Sequence, residues 1–174
     1  MPVYILFGVS GCGKTSVGQL LSKFLHCPFL DADDFHPQSN KDKMASGLPL
    51  GDEDRWGWLE ILATQLALFA ESKGDVVLAF SALKRAYRDV LKKRIMHDQV
   101  IFVYLEGSFR VIMNRMEQRK DHFMKPEMLA SQFDTLEVPG DDERKDINVV
   151  TIDVTASLAQ IHRSLLLELG LTNH

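Results

Sequence analysis

The stretch Gly8-Val9-Ser10-Gly11-Cys12-Gly13-Lys14-Thr15-Ser16 decides how this chain folds. An apolar run, Val3 to Phe7, precedes it, and a helical pattern follows with Val17, Leu20, Leu21, Phe24 and Leu25 on one side. Strand, glycine-rich turn and helix, with the spacing Gly-x4-Gly-Lys-Thr, make a P-loop. The glycines let the backbone curl so that several N–H groups point into one concavity, and the Lys14 ammonium reaches the outer phosphates. The helix that opens near Gly13 adds the positive end of its dipole. A polyphosphate fits that spot, with Gly8 through Ser16 around it. Thr15 then offers its hydroxyl to a hard cation. Mg2+ is the expected ion, because it shares its shell among phosphate oxygens, waters and one or two protein oxygens.

Further apolar runs at Pro28–Leu30, Val76–Phe80 and Val100–Leu105, with a fifth at Val149–Ile152, are nearly continuous rather than alternating. That pattern suits a parallel sheet covered on both faces. Helical periodicity occupies 14–26, about 40–46, 54–72, 84–95, 108–120 and 156–169. The helix over 54–72 is specified by Leu59, Leu62, Leu66 and Phe69, with Asp52, Glu53 and Asp54 at its positive end. Alternating strand and helix predicts one α/β doubly wound domain with ligands at the C-terminal strand edges.

A net charge of −4 argues against a nucleic-acid footprint and leaves the local basic clusters to a small anionic ligand. Cys12 and Cys27 form no C-x-x-C pair, which points to a reduced, cytoplasmic compartment, with Cys12 read as a small loop residue rather than a redox sensor. Met1 runs straight into the first strand, so no signal peptide is expected. No apolar run approaches the roughly 18 residues that cross a bilayer. The six histidines show no zinc spacing, so no zinc site is assigned.

Polar groups that follow the strands carry the chemistry. After the second strand comes Asp31-Ala32-Asp33-Asp34. In an extended segment residues two apart point the same way, so Asp31 and Asp33 can face one site beside the phosphate loop. One carboxylate can hold the cation through water while the other takes the proton of an attacking hydroxyl. The bland alternative is that they cap the next turn. Residues 36–58 are turn-rich and polar and read as a substrate-side lobe. At its end Arg55 stands in a helix's first turn, where a cation is disfavoured, as a fork for a substrate carboxylate or a surface partner of Asp52 or Glu53. Trp56 and Trp58 read as packing. After the third strand Lys84 and Arg88, four apart, would share a face with an anion between them. Glu106 reads as a plain strand end. Arg110, Arg115 and Arg119 lead into a basic loop fit for a lid whose arginines return to neutralise charge in transfer.

Taken together these segments resemble the bacterial gluconate kinases. The P-loop, Leu30-Asp31-Ala32-Asp33-Asp34-Phe35-His36-Pro37, Lys43 to Leu50 with Asp52 to Arg55, Ser81-Ala82-Leu83-Lys84 with Tyr87-Arg88-Asp89, and His122-Phe123-Met124 with Gln132-Phe133 and Leu136-Glu137 carry the likeness over nearly the full chain. It implies the P-loop fold of the nucleoside-monophosphate-kinase type: one domain over 1–174, a five-stranded parallel sheet flanked by helices, a substrate lobe about 36–58 and a lid about 119–137. It implies transfer of the ATP γ-phosphoryl group to the 6-hydroxyl of D-gluconate, and a homodimer. On that likeness Lys14, Asp33 and Arg119 are catalytic, Arg115 and Arg119 close over the nucleotide, and Thr15 and Asp31 place Mg2+. Asp33, His36, Arg55, Lys84, Arg88 and His122 meet the substrate. Two departures stand out: Ala32 where the family has Gly, and Phe80 where it has Cys. Neither supplies a functional group, so altered packing is expected. Shikimate kinases are more distant, since they carry a triple-glycine loop where this chain has Ser81-Ala82-Leu83. A nucleotide switch would need an Asn-Lys-x-Asp run, which is absent.

Overall fold

The computed structural model describes residues 2–72, 74–81, 83–119 and 125–171. In chain order these form β1 (Val3–Phe7), α1 (Lys14–Leu25), β2 (Phe29–Asp31), a 3-10 turn (Ala32–Phe35), α2 (Gln38–Ala45), α3 (Asp52–Glu71) and β3 (Val76–Phe80). There follow α4 (Arg85–Lys92), a second 3-10 turn (His97–Gln99), β4 (Val100–Glu106), α5 (Phe109–Glu117), α6 (Pro126–Thr135), α7 (Asp141–Asp146), β5 (Asn148–Asp153) and α8 (Leu158–Glu168). The five strands pair in parallel in the order β2-β3-β1-β4-β5, so β1 lies at the centre with the phosphate loop at its C-terminal edge.

Alternation along β1 splits the core into two layers. Val3, Ile5 and Phe7 face Leu59, Leu62 and Leu66 of α3 and Tyr87 and Leu91 of α4. Tyr4 and Leu6 face Val17 and Leu21 of α1, Ile112 and Met116 of α5, and Ile161 and Leu165 of α8. Each buried Leu or Ile contributes about 1.5–3 kcal/mol through water removed from its surface, which is why continuous apolar runs became central strands.

The expected sheet is present; β1 and β3 fall as expected, and no end of the other three strands shifts by more than one residue. β2 extends to Asp31, which places that carboxylate at the strand's last position. Two helices escaped the periodicity reading. α6 begins at Pro126, which fits a first helical position, and buries Leu129. α7 is a short charged segment whose buried residue is Glu143, so it has no apolar stripe to betray it. The stretch 36–58 also holds more regular structure than a loop: α2 lies within it and α3 begins at Asp52. Asp54 joins the two, accepting from the Gly51 N–H and from Lys43 Nζ, each at 2.8 Å. No helix among the described residues is long and apolar enough to cross a membrane.

Candidate active site

The loop after β1 turns on two left-handed residues, Gly11 at φ 79° and Gly13 at φ 98°, a conformation costly for any residue with a Cβ. Gly13 caps α1, whose first turn contains no acid to offset the helix dipole. Lys14 folds back over the loop, donating from Nζ to the carbonyls of Gly8 at 2.8 Å and Val9 at 3.0 Å. Thr15 is exposed at the same helix start, and Cys12 is buried in the core. The amide of Ser10 donates to Gln132 Oε1 at 2.7 Å, and Gln132 Nε2 donates to Ser10 Oγ at 2.9 Å. α6 is thereby joined to the phosphate loop across 122 residues of sequence.

The twin acids meet the cleft in a different local geometry from the one expected. Asp31 is extended, but Ala32 to Phe35 coil into a 3-10 turn, so Asp33 is not the next outward residue of a strand. The turn forms because Asp31 caps it: Asp31 Oδ1 accepts from the Asp33 N–H at 2.9 Å. Asp31 therefore caps through one oxygen and retains the other. The Asp33 side chain is 70 % exposed. Partial desolvation within the cleft, then the neighbouring Asp31, raise its pKa, against the opposing pull of His36 and Lys14. A carboxylate shifted in this direction accepts a proton more readily.

His36 is nearly enclosed. Its ring stacks on Trp58 with centroids 4.3 Å apart, its Nε2 lies 3.7 Å from Asp33 Oδ1, and burial lowers its pKa. Trp58 is buried as expected, and its Nε1–H donates to the Ala32 carbonyl at 2.7 Å. The Phe80 ring lies tilted against the same indole, with centroids 5.3 Å apart. Trp58 thus touches both the Ala32 main chain and the Phe80 ring.

The basic face divides in two. Arg55 donates to Tyr87 Oη at 3.2 Å, and Tyr87 donates in turn through a short bond to Asp52. Lys84 reaches both oxygens of Asp52 at 3.0 Å. The hydrogen bond from Tyr87, followed by that from Lys84, holds the Asp52 carboxyl below its usual range. Arg55 is thus partnered by a phenol rather than by Asp52 or Glu53.

Arg88 corrects the expectation that it meets substrate. Its side chain is fully buried, paired with Glu143 on α7 and donating to the Glu137 carbonyl at 2.8 Å, with its guanidinium 5.0 Å above the Phe7 ring. The reason is helical geometry: Lys84 is the residue before α4 and Arg88 lies in its first turn on the core side, so the two do not share a solvated face.

Arg115 and Arg119 line a cavity of about 280 Å³ behind the loop, with Gly11, Gly13, Ser16 and the segment 156–158. Arg115 donates to the Ala156 carbonyl at 2.7 Å. The contacts of Arg115 with the segment after β5 and of Ser10 with Gln132 are parts of the site that sequence reasoning missed; they join residues 41 and 122 apart. The expected substrate residue His122 lies outside the described residues.

The Shikimate kinase family model matches residues 10–168. The thermoresistant gluconokinase of Escherichia coli strain K12 is 44% identical over 151 residues, covering 87% of this chain and 85% of its own. A gluconokinase from Sinorhizobium meliloti 1021, known from its crystal structure, superposes with a TM-score of 0.84 at 40% identity, covering 97% of this chain and 91% of the other. Shikimate kinase from Aquifex aeolicus shares the fold at a TM-score of 0.59 and 19% identity.

Proposed function

This chain belongs to the gluconokinases, within the wider shikimate kinase family of P-loop enzymes, and from that premise we propose that it transfers the γ-phosphoryl group of ATP to the 6-hydroxyl of D-gluconate. The products are 6-phospho-D-gluconate and ADP. The observation that carries the reading is the phosphate loop, turned on the left-handed Gly11 and Gly13 with Lys14 folded over it, at the same sheet edge as Asp31 and Asp33.

In this reading the amides of Gly8 to Ser16 hold the phosphates, and Lys14 leaves the carbonyls of Gly8 and Val9 to bridge the β and γ oxygens. Arg115 and Arg119 border the nucleotide, with the cavity behind the loop taking its nucleoside end. Arg55 and Lys84 present two cations to the sugar acid's carboxylate, supported by Tyr87. Asp33 accepts the proton of the 6-hydroxyl as its oxygen attacks the γ-phosphorus and the bond to the ADP oxygen breaks. The exposed Thr15 hydroxyl and the Asp31 carboxylate suit Mg2+, which accepts a small protein share of its shell. When bound, the ion neutralises charge on the β and γ oxygens.

One kinase domain over 1–174, with 36–58 as the substrate lobe and 119–137 as the lid, belongs to the same proposal, as do a homodimer and a cytoplasmic location. Measuring ADP release with ATP against gluconate, shikimate and AMP tests it. Preferential turnover of gluconate is expected, and preference for shikimate or AMP rejects it. Asp33→Asn should lower kcat by about a hundredfold or more; a variant within threefold of the parent removes Asp33 as the base.

A further inference from the structure

The surroundings of His36 determine which of its nitrogens carries the proton. Asn40 Nδ2 donates to the main-chain carbonyl of Asp54 at 2.7 Å. A carbonyl only accepts, so the amide must turn its NH2 side that way and cannot be flipped. The same nitrogen lies 3.2 Å from His36 Nδ1, which must then be the acceptor of its second N–H. An imidazole with its lone pair on Nδ1 carries its proton on Nε2, and Nε2 is the atom facing Asp33.

Nothing in this arrangement is loose. Asn40 is 3% exposed, and the His36 ring is clamped on Trp58. The charged groups around the ring are Asp33, Arg55 and Lys41; burial, then the two cations, lower its pKa against the opposing pull of Asp33. Asn40 is the buried residue of a helix with no apolar stripe, and these two bonds engage its amide nitrogen.

We infer that Asn40 is a positioning residue for phosphoryl transfer: it locks His36 as the Nε2–H tautomer, whose proton steadies one oxygen of Asp33 and leaves the other for the acceptor hydroxyl. The inference rests on Asp33 acting as the base. The present separation of 3.7 Å is longer than a hydrogen bond. Catalytic hydrogen bonds are commonly long before substrate arrives, and the Asp33 side chain is exposed and has room to turn.

The test combines nitrogen-15 NMR of the histidines with kinetics. The intact protein should show His36 with its proton on Nε2, and Asn40→Leu should give a tautomer mixture with kcat lowered about tenfold and KM for ATP within about twofold. His36→Gln keeps an amide N–H where Nε2–H stood and should stay within about threefold of the parent. His36→Asn reaches only the Nδ1 position and should fall about tenfold or more. A ring needed only for packing on Trp58 would be lost equally in both. If Asn40→Leu does not fold, the parent spectrum and the Gln and Asn pair decide. A proton on Nδ1, equal loss in the pair, or a parental kcat in Asn40→Leu while Asp33→Asn is inactive each overturn the inference. An active Asp33→Asn overturns the base assignment itself, and the relay's role falls with it.

Discussion

The Arg88 guanidinium grips Glu143 through two parallel hydrogen bonds, Nε to Oε1 at 2.7 Å and Nη2 to Oε2 at 2.8 Å, with both side chains sealed from solvent. This fork fastens α7 to α4 beneath the C-terminal edge of the sheet. A charge pair taken out of water is held by mutual completion: each ion is tolerable only while the other is present.

Removing one partner should therefore act on stability. Glu143→Gln or Arg88→Ala is expected to cost about 3–5 kcal/mol in urea unfolding. Surviving folded enzyme should keep its KM for the sugar acid within a few-fold. A loss under about 1 kcal/mol together with a tenfold higher KM would return Arg88 to the substrate site.

Lys14 makes its polar contacts with the loop's own carbonyls, so its loss should spare the fold. Lys14→Met is expected to lower kcat/KM by about a hundredfold to a thousandfold, through lost charge stabilisation in transfer, with thermal midpoint nearly unchanged. Parental activity in that variant would contradict the phosphate role.

Arg55 has a phenol as its hydrogen-bond partner among the described residues, which leaves its charge available to an anion. Arg55→Ala should raise KM for the sugar acid about tenfold to a hundredfold while KM for ATP holds. Equal effects on both substrates would mean that the residue shapes the cleft rather than binding the carboxylate.

Acid should weaken the fold through His162. Among the described residues its Nδ1 is buried without a hydrogen-bond partner, and burial lowers its pKa from the usual 6.5. Below 6.5 the unfolded chain takes up a proton that the folded chain refuses, so stability is full above that pH and falls as pH drops toward the folded value. His36 acts in the same direction. His162→Leu should flatten the decline between about pH 7 and 5, gaining more at pH 5 than at pH 8. An identical gain at both values would rule out titration as the cause.

Much of the site was readable along the chain. The P-loop needs only glycines at two left-handed positions and a lysine at the helix start, all within a few residues. Asp31 was legible as a cap, because an Asp at a strand end favours the following turn. The outward strand position expected for Asp33 was replaced by 3-10 geometry, since the choice between continuing a strand and coiling rests on the Asp31 cap. Arg88 was misplaced because a periodic pattern gives spacing around a helix but not which face meets the core. α7 escaped because its buried residue is a glutamate.

Local order along the chain determined the central strand, the phosphate loop and the covered parallel sheet, because backbone curvature and apolar runs depend on neighbouring residues. Tertiary structure alone decided the partners of the charged and amide groups: Glu143 for Arg88, Asp52 for Lys84, Ser10 for Gln132 and His36 for Asn40. The pairings of Arg88, Lys84 and Gln132 span 32 to 122 residues, and that of Asn40 with His36, only four apart, depends on the Asp54 carbonyl of another helix. Such choices are made by strand register and by the helix faces turned inward, which no single window of sequence contains.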